Sequence, residues 1–236
     1  VSETISSIMV FAARVHERLG VAPHMVIPGG GFGVADDASG HDVSIASWAH
    51  AAAAALRKSC CEGQLPLPEL VVEPGRAIVG PAGVALYEVG SRKEIAGTRT
   101  YVSVDGGMSD NIRPSLYGAR YSAALANRAE NEEPREDVTI AGKYCESGDV
   151  LIDRISLPVL EPGDLLAVPM AGAYCLAMAS NYNLAPRPAA VLVSWGNVQL
   201  IRRRESYADL LQWEVFERGR VELDGAGRLS AAMGSL

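Results

Sequence analysis

A thiol and two carboxylates lie within one short polar segment, KYCESGD, which spans residues 143–149. Cys145 and Glu146 are adjacent, and a Ser-Gly pair forms a predicted turn before Asp149. A thiol can donate a proton to a reacting atom, and a carboxylate can bind a cationic group. Because the flanking stretches are apolar and typical of strands, we interpret this turn as a candidate for catalytic chemistry.

Two further segments have the composition of an anion-binding site. GGGFG, residues 29–33, follows an apolar stretch, and glycine lets backbone N–H groups approach an anion without obstruction by a Cβ atom. The run lacks the spacing of a dinucleotide-binding GxGxxG sequence and of a P-loop. EPGR, residues 73–76, closes the next apolar stretch, so the N–H groups of Gly75 and Arg76 can face the same anion. The alternative interpretation of each segment, taken separately, is an ordinary turn that binds no ligand.

The elements before residue 82 follow an α/β pattern. Apolar residues spaced as on one helical face lead up to Gly20, HMVIP (24–28) is a predicted buried strand, and LVVE (70–73) is the next strand. Ser44 can cap a helix between these strands. The strand–loop–helix–strand order predicts a βα repeat with a parallel sheet.

The pattern after residue 82 changes to short strands separated by Gly, Pro, Asn and Asp, which predicts an antiparallel β-domain. The predicted strands are VALYEVG, RTYVSVDGG, DVLIDRISLPVL, DLLAVP, AAVLVSW and VQLIRRR. We expect the acidic stretch 129–137 to be a solvated loop. The proposed division is therefore an α/β portion at 1–81, a β-domain at 82–218 and a flexible tail at 219–236.

The bulk properties exclude several classes of function. A net charge of −7 with scattered Lys and Arg argues against a nucleic-acid partner. No apolar run approaches the ~20 residues of a membrane span. The four cysteines show no CxxC spacing and the four histidines are not clustered, so we expect reduced thiols, a cytoplasmic protein and no metal site. The chain opens at Val1 within a predicted helix, and we interpret it as a piece of a longer protein.

Taken together, five segments identify a family. They are GGGFG, EPGR, DGGMSDNIRPSLYGA (105–119), KYCESGD and GAYCLAMASNYN (172–183). In order and spacing the chain resembles the C-terminal half of the diaminopimelate decarboxylases, which are fold-type III pyridoxal-phosphate (PLP) enzymes. The resemblance covers about residues 5–213. It implies the last strands of a PLP-binding (β/α)8 TIM barrel followed by an antiparallel β-barrel or sandwich domain, assembled as a homodimer with active sites shared between subunits.

The resemblance also implies that the lysine that forms the Schiff base with PLP lies outside this sequence. Lys58 is interpreted as a helix-surface charge and Lys93 as part of a loop. Lys143 lies beside the CESGD motif but not within it. Cys60 and Cys61 are interpreted as thiols at a helix end or loop, without a catalytic role.

For the cofactor, the resemblance implies a phosphate site and a contact with the pyridine ring. The phosphate would be bound by Gly31, within a loop shaped by its neighbouring glycines, together with the PGR turn. Glu73 would contact the pyridine nitrogen and favour the pyridinium, the stronger electron sink; the alternative is a surface glutamate at a turn. The implied cofactor-binding residues are Gly29, Gly30, Gly31, Gly33, Glu73, Pro74, Gly75, Arg76 and Tyr174.

For the substrate, meso-2,6-diaminopimelate, the resemblance implies that both charges at the far end are recognised. Glu146 would bind the distal ammonium and Arg113 the distal carboxylate, since a guanidinium forms forked hydrogen bonds with carboxylates. Arg76, Tyr117 and Tyr174 are the other implied contacts, and Cys145 is the implied proton donor. The alternatives are a surface salt bridge for Arg113 and core packing for both tyrosines.

Two other functions stay open at the level of the sequence. Ornithine and arginine decarboxylases share the fold and EPGR. Their substrates need no clamp for a distal carboxylate, and these enzymes typically carry Asp after the cysteine, so Glu146 and the DNIRPSLY segment favour diaminopimelate. A decarboxylase of another, related amino acid also stays open. A catalytically inactive homologue that serves as a binding protein is the non-enzymatic alternative.

Overall fold

In the computed structural model of this chain, residues 1–34, 44–128 and 134–214 are described. The chain forms two compact units, residues 1–188 and 189–236, and the second is described as far as residue 214. Within the first unit, the buried apolar side chains form two separate cores. One core lies among helices and two short strands near the N-terminus, and the other lies within a six-stranded sheet.

The first helix, α1 (Ser2–Leu19), agrees with its predicted apolar spacing. Its buried face consists of Ile5, Met9 and Ala12. The helix ends at Gly20, which adopts a left-handed φ of 70° and donates its N–H to the His16 carbonyl at 2.8 Å. Leu19, which the same spacing assigns to the apolar face, is exposed in the last turn.

The two predicted strands of the N-terminal part form a parallel pair, β1 (Met25–Val26) and β2 (Glu69–Leu70). Each is shorter than predicted, but the backbones stay hydrogen-bonded as far as Gly29 and Glu73, whose O and N atoms are 3.4 Å apart. Burial was predicted for the whole first strand. It is wrong for Met25 and Ile27, which are about half exposed, because no element of the described residues covers that side of the strand.

Helix α2 (Ile45–Glu62) begins at the predicted cap, where Ser44 Oγ accepts the N–H of Ser47 at 3.1 Å. Its buried face includes Trp48, and the ring of Phe32 stacks on this indole with centroids 4.1 Å apart. Phe32 is the only large side chain in GGGFG. The stack therefore anchors the glycine-rich segment to the helical core.

A mixed six-stranded sheet follows the short helix α3 (Gly75–Val79). Its strands are β3 (Ala85–Ile95), β4 (Arg99–Val104), β5 (Ala124–Leu125), β6 (Arg135–Ala141), β7 (Val150–Pro158) and β8 (Leu165–Val168), in the order β5-β8-β3-β4-β6-β7. Strands β4 and β6 run parallel, so the prediction of an antiparallel sheet is wrong for this pair. A crossover connection, which includes helix α4 (Arg113–Tyr117) and β5, joins them in place of a hairpin.

Two charged segments that were predicted as loops lie in strands. Residues 135–137 of the acidic stretch belong to β6 and pair with β7, whereas residues 129–133 lie outside the described residues. Lys93 belongs to β3 and pairs with Tyr101. The loop prediction was based on charge and is wrong for these residues, because a strand with one solvated face accepts charged side chains at alternate positions.

The second unit contains the last two predicted strands. Strands β9 (Ala190–Ser194) and β10 (Asn197–Arg202) form an antiparallel hairpin. Trp195 and Gly196 form its turn with positive φ angles of 50° and 79°, as two-residue hairpin turns require. A short helix, α5 (Tyr207–Leu210), follows, and the predicted tail at 219–236 lies outside the described residues. No helix in the described ranges is both long and apolar enough to cross a membrane.

The turn after α3 packs tightly against the loop that follows β8. The N–H of Ala171 donates to Gly83 O at 2.9 Å, and the N–H of Gly172 donates to Gly80 O at 3.1 Å. A Cβ atom on Gly172 would lie 1.7 Å from the carbonyl oxygen of Val79. This close backbone contact joins the N-terminal part of the chain to the sheet.

We therefore expect Gly172→Ala to lower the free energy of unfolding by about 1–3 kcal/mol, because neither backbone segment can move without breaking the paired hydrogen bonds. Gly75→Ala is the matched control, since a Cβ atom there meets no atom within 4 Å and its φ is not positive. Urea unfolding of the protein that contains this chain measures both. Equal unfolding free energies for the two variants would contradict the packing argument.

Candidate active site

The glycine-rich segment approaches the EPGR segment at the carboxyl ends of β1 and β2. Gly29 and Gly31 have φ angles of 85° and 65°, which favour glycine over other residues. A Cβ atom on Gly30 would lie 2.3 Å from the carbonyl oxygen of Glu73. Three consecutive glycines are therefore required here, two by backbone conformation and one by close approach.

A pocket of about 710 Å³ lies between these segments. Its lining consists of Gly30, Gly31, Phe32, Glu73, Pro74, Gly75, Arg76, Ala77, Ile78 and Tyr174. Gly29 and Gly33 are outside this lining and shape the loop. The amide of Gly75, predicted to face an anion, donates to Glu73 O at 2.9 Å, so a bound anion would share or replace that bond. The structure thus brings seven of the nine predicted cofactor residues to one cavity.

Tyr174 reaches this pocket from the loop after β8. It is about half exposed and has a left-handed φ of 60°, which is unusual for a residue with a bulky side chain. The backbone contact between Gly172 and Val79 lies two residues before it. Tyr174 therefore lines the same cavity as EPGR because the loop carrying it is fixed to the turn after α3.

The KYCESGD segment is fastened to the loop after β4 by Asp149. Its Oδ1 accepts the N–H of Met108 at 2.7 Å and its Oδ2 accepts the N–H of Tyr144 at 2.8 Å. Cβ atoms on Gly107 or Gly142 would lie within 2.5 Å of this carboxylate. Asp149 is 3% exposed, and burial raises the pKa of its carboxyl group. The final residue of the motif is thus an internal connector of two loops.

Asp110, which belongs to the loop after β4, connects this loop to the sheet. Its Oδ1 accepts the N–H of Gly107 at 2.8 Å, and its Oδ2 accepts the Tyr87 hydroxyl at 2.5 Å. Burial raises the pKa of both side chains, so the Tyr87 hydroxyl stays a donor. Because Tyr87 is a core residue of β3, the loop is tied directly to the centre of the sheet.

Arg113 is buried at the start of α4, so the alternative of a surface salt bridge is wrong. Its Nη1 donates to the Tyr121 hydroxyl at 2.6 Å, and its guanidinium lies 5.7 Å from the centre of that ring. The Tyr121 hydroxyl in turn lies 3.5 Å from Cys175 Sγ. Burial is the main cause that raises the pKa of the Tyr121 phenol, which therefore stays protonated beside the cation. Arg113 is thus held in one orientation.

The remaining predicted residues are exposed and lie outside the pocket lining. Tyr117, which ends α4, is 62% exposed, and Cys145 and Glu146 are exposed in the loop between β6 and β7. The alternative of core packing is therefore wrong for Tyr117, and it is also wrong for the half-exposed Tyr174. Among the residues that the structure describes, the predicted site residues therefore form two groups. One group surrounds the pocket, and the other lies on the connections between strands of the sheet, in α4 and in the loop between β6 and β7.

The three lysines also lie outside the pocket lining. Lys58 forms a surface ion pair with Glu62 at 3.8 Å, as a helix-surface charge would. Lys143 Nζ lies 5.8 Å from the centre of the Tyr144 ring. Cys60 and Cys61 are in the last turn of α2, and burial raises the pKa of the Cys60 thiol. No group of three or more metal-ligating side chains is assembled within residues 1–34, 44–128 and 134–214.

Comparison with known proteins identifies the family of this chain. The sequence profile of the family described as pyridoxal-dependent decarboxylase, C-terminal sheet domain, matches residues 9–172, which is more than half of the 236 residues. This chain belongs to the pyridoxal-dependent decarboxylase family.

Individual members of the family show the same relationship. A diaminopimelate decarboxylase of Synechocystis is 52% identical over 184 residues, which cover 78% of this chain and 39% of that protein. The Bacillus subtilis diaminopimelate decarboxylase is 47% identical, with 79% and 42% covered. The chain thus spans about two fifths of the length of these relatives.

Solved structures extend the likeness to the fold. The crystal structure of diaminopimelate decarboxylase from M. jannaschii in complex with L-lysine has a TM-score of 0.80 and 35% identity, covering 91% of this chain and 48% of that one. The arginine decarboxylase of Paramecium bursaria Chlorella virus has a TM-score of 0.62 at 18% identity, which shows a common fold alone.

The pocket fits the PLP that the family name implies. The cavity volume suits a small cofactor with room for a substrate. Glycine backbone, the Arg76 cation and the Glu73 carboxylate lie around one space, as a phosphate and a basic ring nitrogen require. The close approach of Gly30 to the main-chain carbonyl of Glu73 leaves no room for a side chain at Gly30 between the glycine-rich segment and EPGR.

Sequence reasoning missed four residues that organise this site: Phe32, Asp149, Gly172 and Tyr182, whose hydroxyl donates a hydrogen bond to Glu146 Oε1. Asp149 was quoted in the motif but was given no role. Phe32 carried a usable signal, because one aromatic residue in a glycine run suggests an anchor. The contacts of Gly172 and Tyr182 connect distant segments and leave no local signal.

Asp149→Asn tests the connection between the two loops. An amide offers one acceptor oxygen, so its NH₂ group would face one of the two backbone donors, and we expect a loss of about 1–3 kcal/mol in unfolding free energy. Asp137→Asn, an exposed residue of β6, is the matched control and should change little. Urea unfolding measures both; an Asp149 variant as stable as its control would show that this carboxylate is not a connector.

Proposed function

We propose that the protein containing this chain decarboxylates meso-2,6-diaminopimelate to L-lysine and CO₂ with PLP as cofactor. The observation that carries the proposal is the meeting of the glycine-rich segment, EPGR and Tyr174 around one cavity, in a chain that is 52% identical to a diaminopimelate decarboxylase. The complex of a similar structure with L-lysine supports the same product.

The barrel-derived segment would bind the cofactor. The loop of Gly30 and Gly31 and the turn at Gly75 and Arg76 would bind the phosphate, and Glu73 would bind the pyridine nitrogen and favour its protonated form. When bound, PLP supplies the electron sink that accepts the electron pair of the breaking C–C bond. Tyr174 would contact both cofactor and substrate from the opposite wall.

The sheet loops would recognise and protonate the substrate. Arg113 would bind the distal carboxylate and Glu146 the distal ammonium, with Arg76 and Tyr117 as additional contacts. The Cys145 thiol would donate its proton to the carbon that loses CO₂, so that a C–H bond replaces the broken C–C bond.

The separation of the two groups of residues supports a shared site in a homodimer. Cys145 and Glu146 are exposed and are absent from the lining of the pocket, within the part of the chain that the structure describes. In the proposed dimer they would enter the pocket of the other subunit. We also propose a TIM barrel completed by upstream sequence, a boundary at residues 81 and 82, and a cytoplasmic location.

The alternatives predict different substrates. The comparison with an arginine decarboxylase shows a common fold at 18% identity, which carries no information on the substrate. Release of CO₂ from diaminopimelate, ornithine and arginine by the complete protein with PLP separates them. Turnover of diaminopimelate alone is expected; turnover of ornithine or arginine alone supports those alternatives, and no turnover of any of them supports either an inactive homologue or a decarboxylase of another amino acid.

Arg113→Leu should lower kcat/KM for diaminopimelate by about one to two decades while leaving PLP affinity unchanged, since it removes a charge-assisted bond of roughly 1.5–3 kcal/mol. Tyr121→Phe removes the observed hydrogen bond to Arg113 but keeps the guanidinium, so it should cause a smaller loss than Arg113→Leu. An unchanged kcat/KM in Arg113→Leu would mean that the distal carboxylate is bound elsewhere. Steady-state kinetics and PLP titration provide the two measurements.

Mixing two inactive variants tests the shared site. Glu73→Ala damages the cofactor pocket and Cys145→Ala damages the proton donor. In a heterodimer one site carries both defects and the other carries neither, so equal mixing should restore about a quarter of wild-type activity.

Glu73→Ala mixed with Arg76→Ala is the control, because both defects lie in the same pocket and no intact site can form. Recovery is measured as CO₂ release after co-refolding. If Cys145 serves its own subunit, the first mixture will be as inactive as this control.

A further inference from the structure

Glu146 is oriented by a tyrosine to which the proposed function assigns no role. The Tyr182 hydroxyl donates a hydrogen bond to Glu146 Oε1. Tyr182 begins the short 3₁₀ turn Tyr182–Leu184 and follows Glu146 by 36 residues. Because the two residues are far apart in sequence, their contact depends on how the loops pack.

The ring of Tyr182 is fixed by the loop that carries Glu146. It packs edge-on against Tyr144, with centroids 5.5 Å apart and an angle of 73° between the planes. The Tyr144 hydroxyl is hydrogen-bonded to Ser109 Oγ at 2.5 Å, and its N–H donates to Asp149 at 2.8 Å. Tyr144 is therefore held at both ends and presents a firm surface to Tyr182.

The backbone around Tyr182 is fixed as well. The N–H of Ser180 donates to Ser109 O at 2.8 Å, and the Asn181 amide donates to Ala185 O at 3.1 Å. Asn183 and Leu184 have left-handed φ angles of 51° and 55°, a conformation that persists only where the surroundings determine it. The turn is thus attached to the same loop that Asp149 fastens.

A fixed phenol restricts the carboxylate that accepts from it. An exposed glutamate otherwise samples several rotamers, and ordering it on ligand binding costs conformational entropy. A hydrogen bond at Oε1 selects one orientation and leaves Oε2 able to accept from an ammonium group. The bond to Glu146 raises the pKa of the Tyr182 phenol, so the hydroxyl remains a donor.

We propose that Tyr182 is a positioning residue for Glu146 and thereby sets the preference of the site for substrates with an ammonium group at the end remote from the reacting carbon. This inference rests on the proposed role of Glu146. Tyr182 needs no contact with the substrate and acts from the same subunit as Glu146.

The test is Tyr182→Phe in the complete PLP-bound enzyme, because phenylalanine keeps the ring against Tyr144 and removes only the hydroxyl. The KM for diaminopimelate should rise roughly 5- to 20-fold with kcat changed less than about twofold. The inhibition constant of 2-aminopimelate, which has both carboxylates but no distal ammonium, should stay unchanged. Tyr101→Phe, in β4 beside Arg99, is the matched control and should alter neither value.

A double-mutant cycle with Glu146→Gln separates positioning from packing. Once Glu146 is replaced, the additional Tyr182→Phe change should raise KM by less than about twofold, because the residue that it positions is already lost. The inference would be overturned if Tyr182→Phe left the KM for diaminopimelate unchanged, or if the effects of the two substitutions on KM were additive. It would also be overturned if the variant bound diaminopimelate and 2-aminopimelate equally more weakly and unfolded at a lower temperature.

Failure of the proposed function gives a different result. In that case the wild-type enzyme would not turn over diaminopimelate at all. If the wild type is active and Tyr182→Phe is indistinguishable from it, only the role of Tyr182 is wrong.

Discussion

The close approach of backbone to backbone at two glycines is the constraint on which the site depends. Gly30 lies against the carbonyl of Glu73, and Gly172 lies against the carbonyl of Val79. The first contact brings the glycine-rich loop to EPGR, and the second brings the loop carrying Tyr174 to the turn after α3. No side chain fits at either position, so the pocket has its shape only because both residues are glycine.

Buried polar groups organise the loops of the sheet in a comparable way. Asp149 and Asp110 each accept a backbone N–H at 2.8 Å or less, and both are withdrawn from solvent. A carboxylate in such a place costs desolvation energy, which hydrogen bonds from the backbone offset only when their geometry is fixed. The loops around Cys145 and Glu146 therefore have defined positions although the two side chains are exposed.

The predicted site residues differ in their surroundings, and these surroundings suit different partners. A pocket with an anion-binding loop and an aromatic wall suits a cofactor, whereas exposed loops bearing a thiol, a carboxylate and a tyrosine suit a surface that meets another subunit. Arg113 belongs to neither group, since it is buried outside the pocket lining and is hydrogen-bonded to Tyr121. Its orientation is fixed by that bond, and in the proposed enzyme this would lower the entropic cost of binding a substrate carboxylate.

The sequence alone determined the elements whose signals are local. The face of α1, the Ser44 cap of α2, strands β3, β4, β7 and β8 of the sheet and the hairpin follow from periodicity, capping residues and turn residues within short windows, whereas β5 and β6 were not predicted. The family resemblance of the motifs also predicted seven of the residues that line the pocket.

Only the tertiary structure decided the contacts between distant segments. The parallel pairing of β4 with β6, the stack of Phe32 on Trp48 and the bond from Tyr182 to Glu146 each join residues that no short window contains. Such contacts depend on topology and on the mutual packing of loops, whereas local propensity is the same wherever a segment is placed. This is why the sequence predicted Glu146 as a binding residue, whereas its hydrogen bond from Tyr182 was found only in the fold.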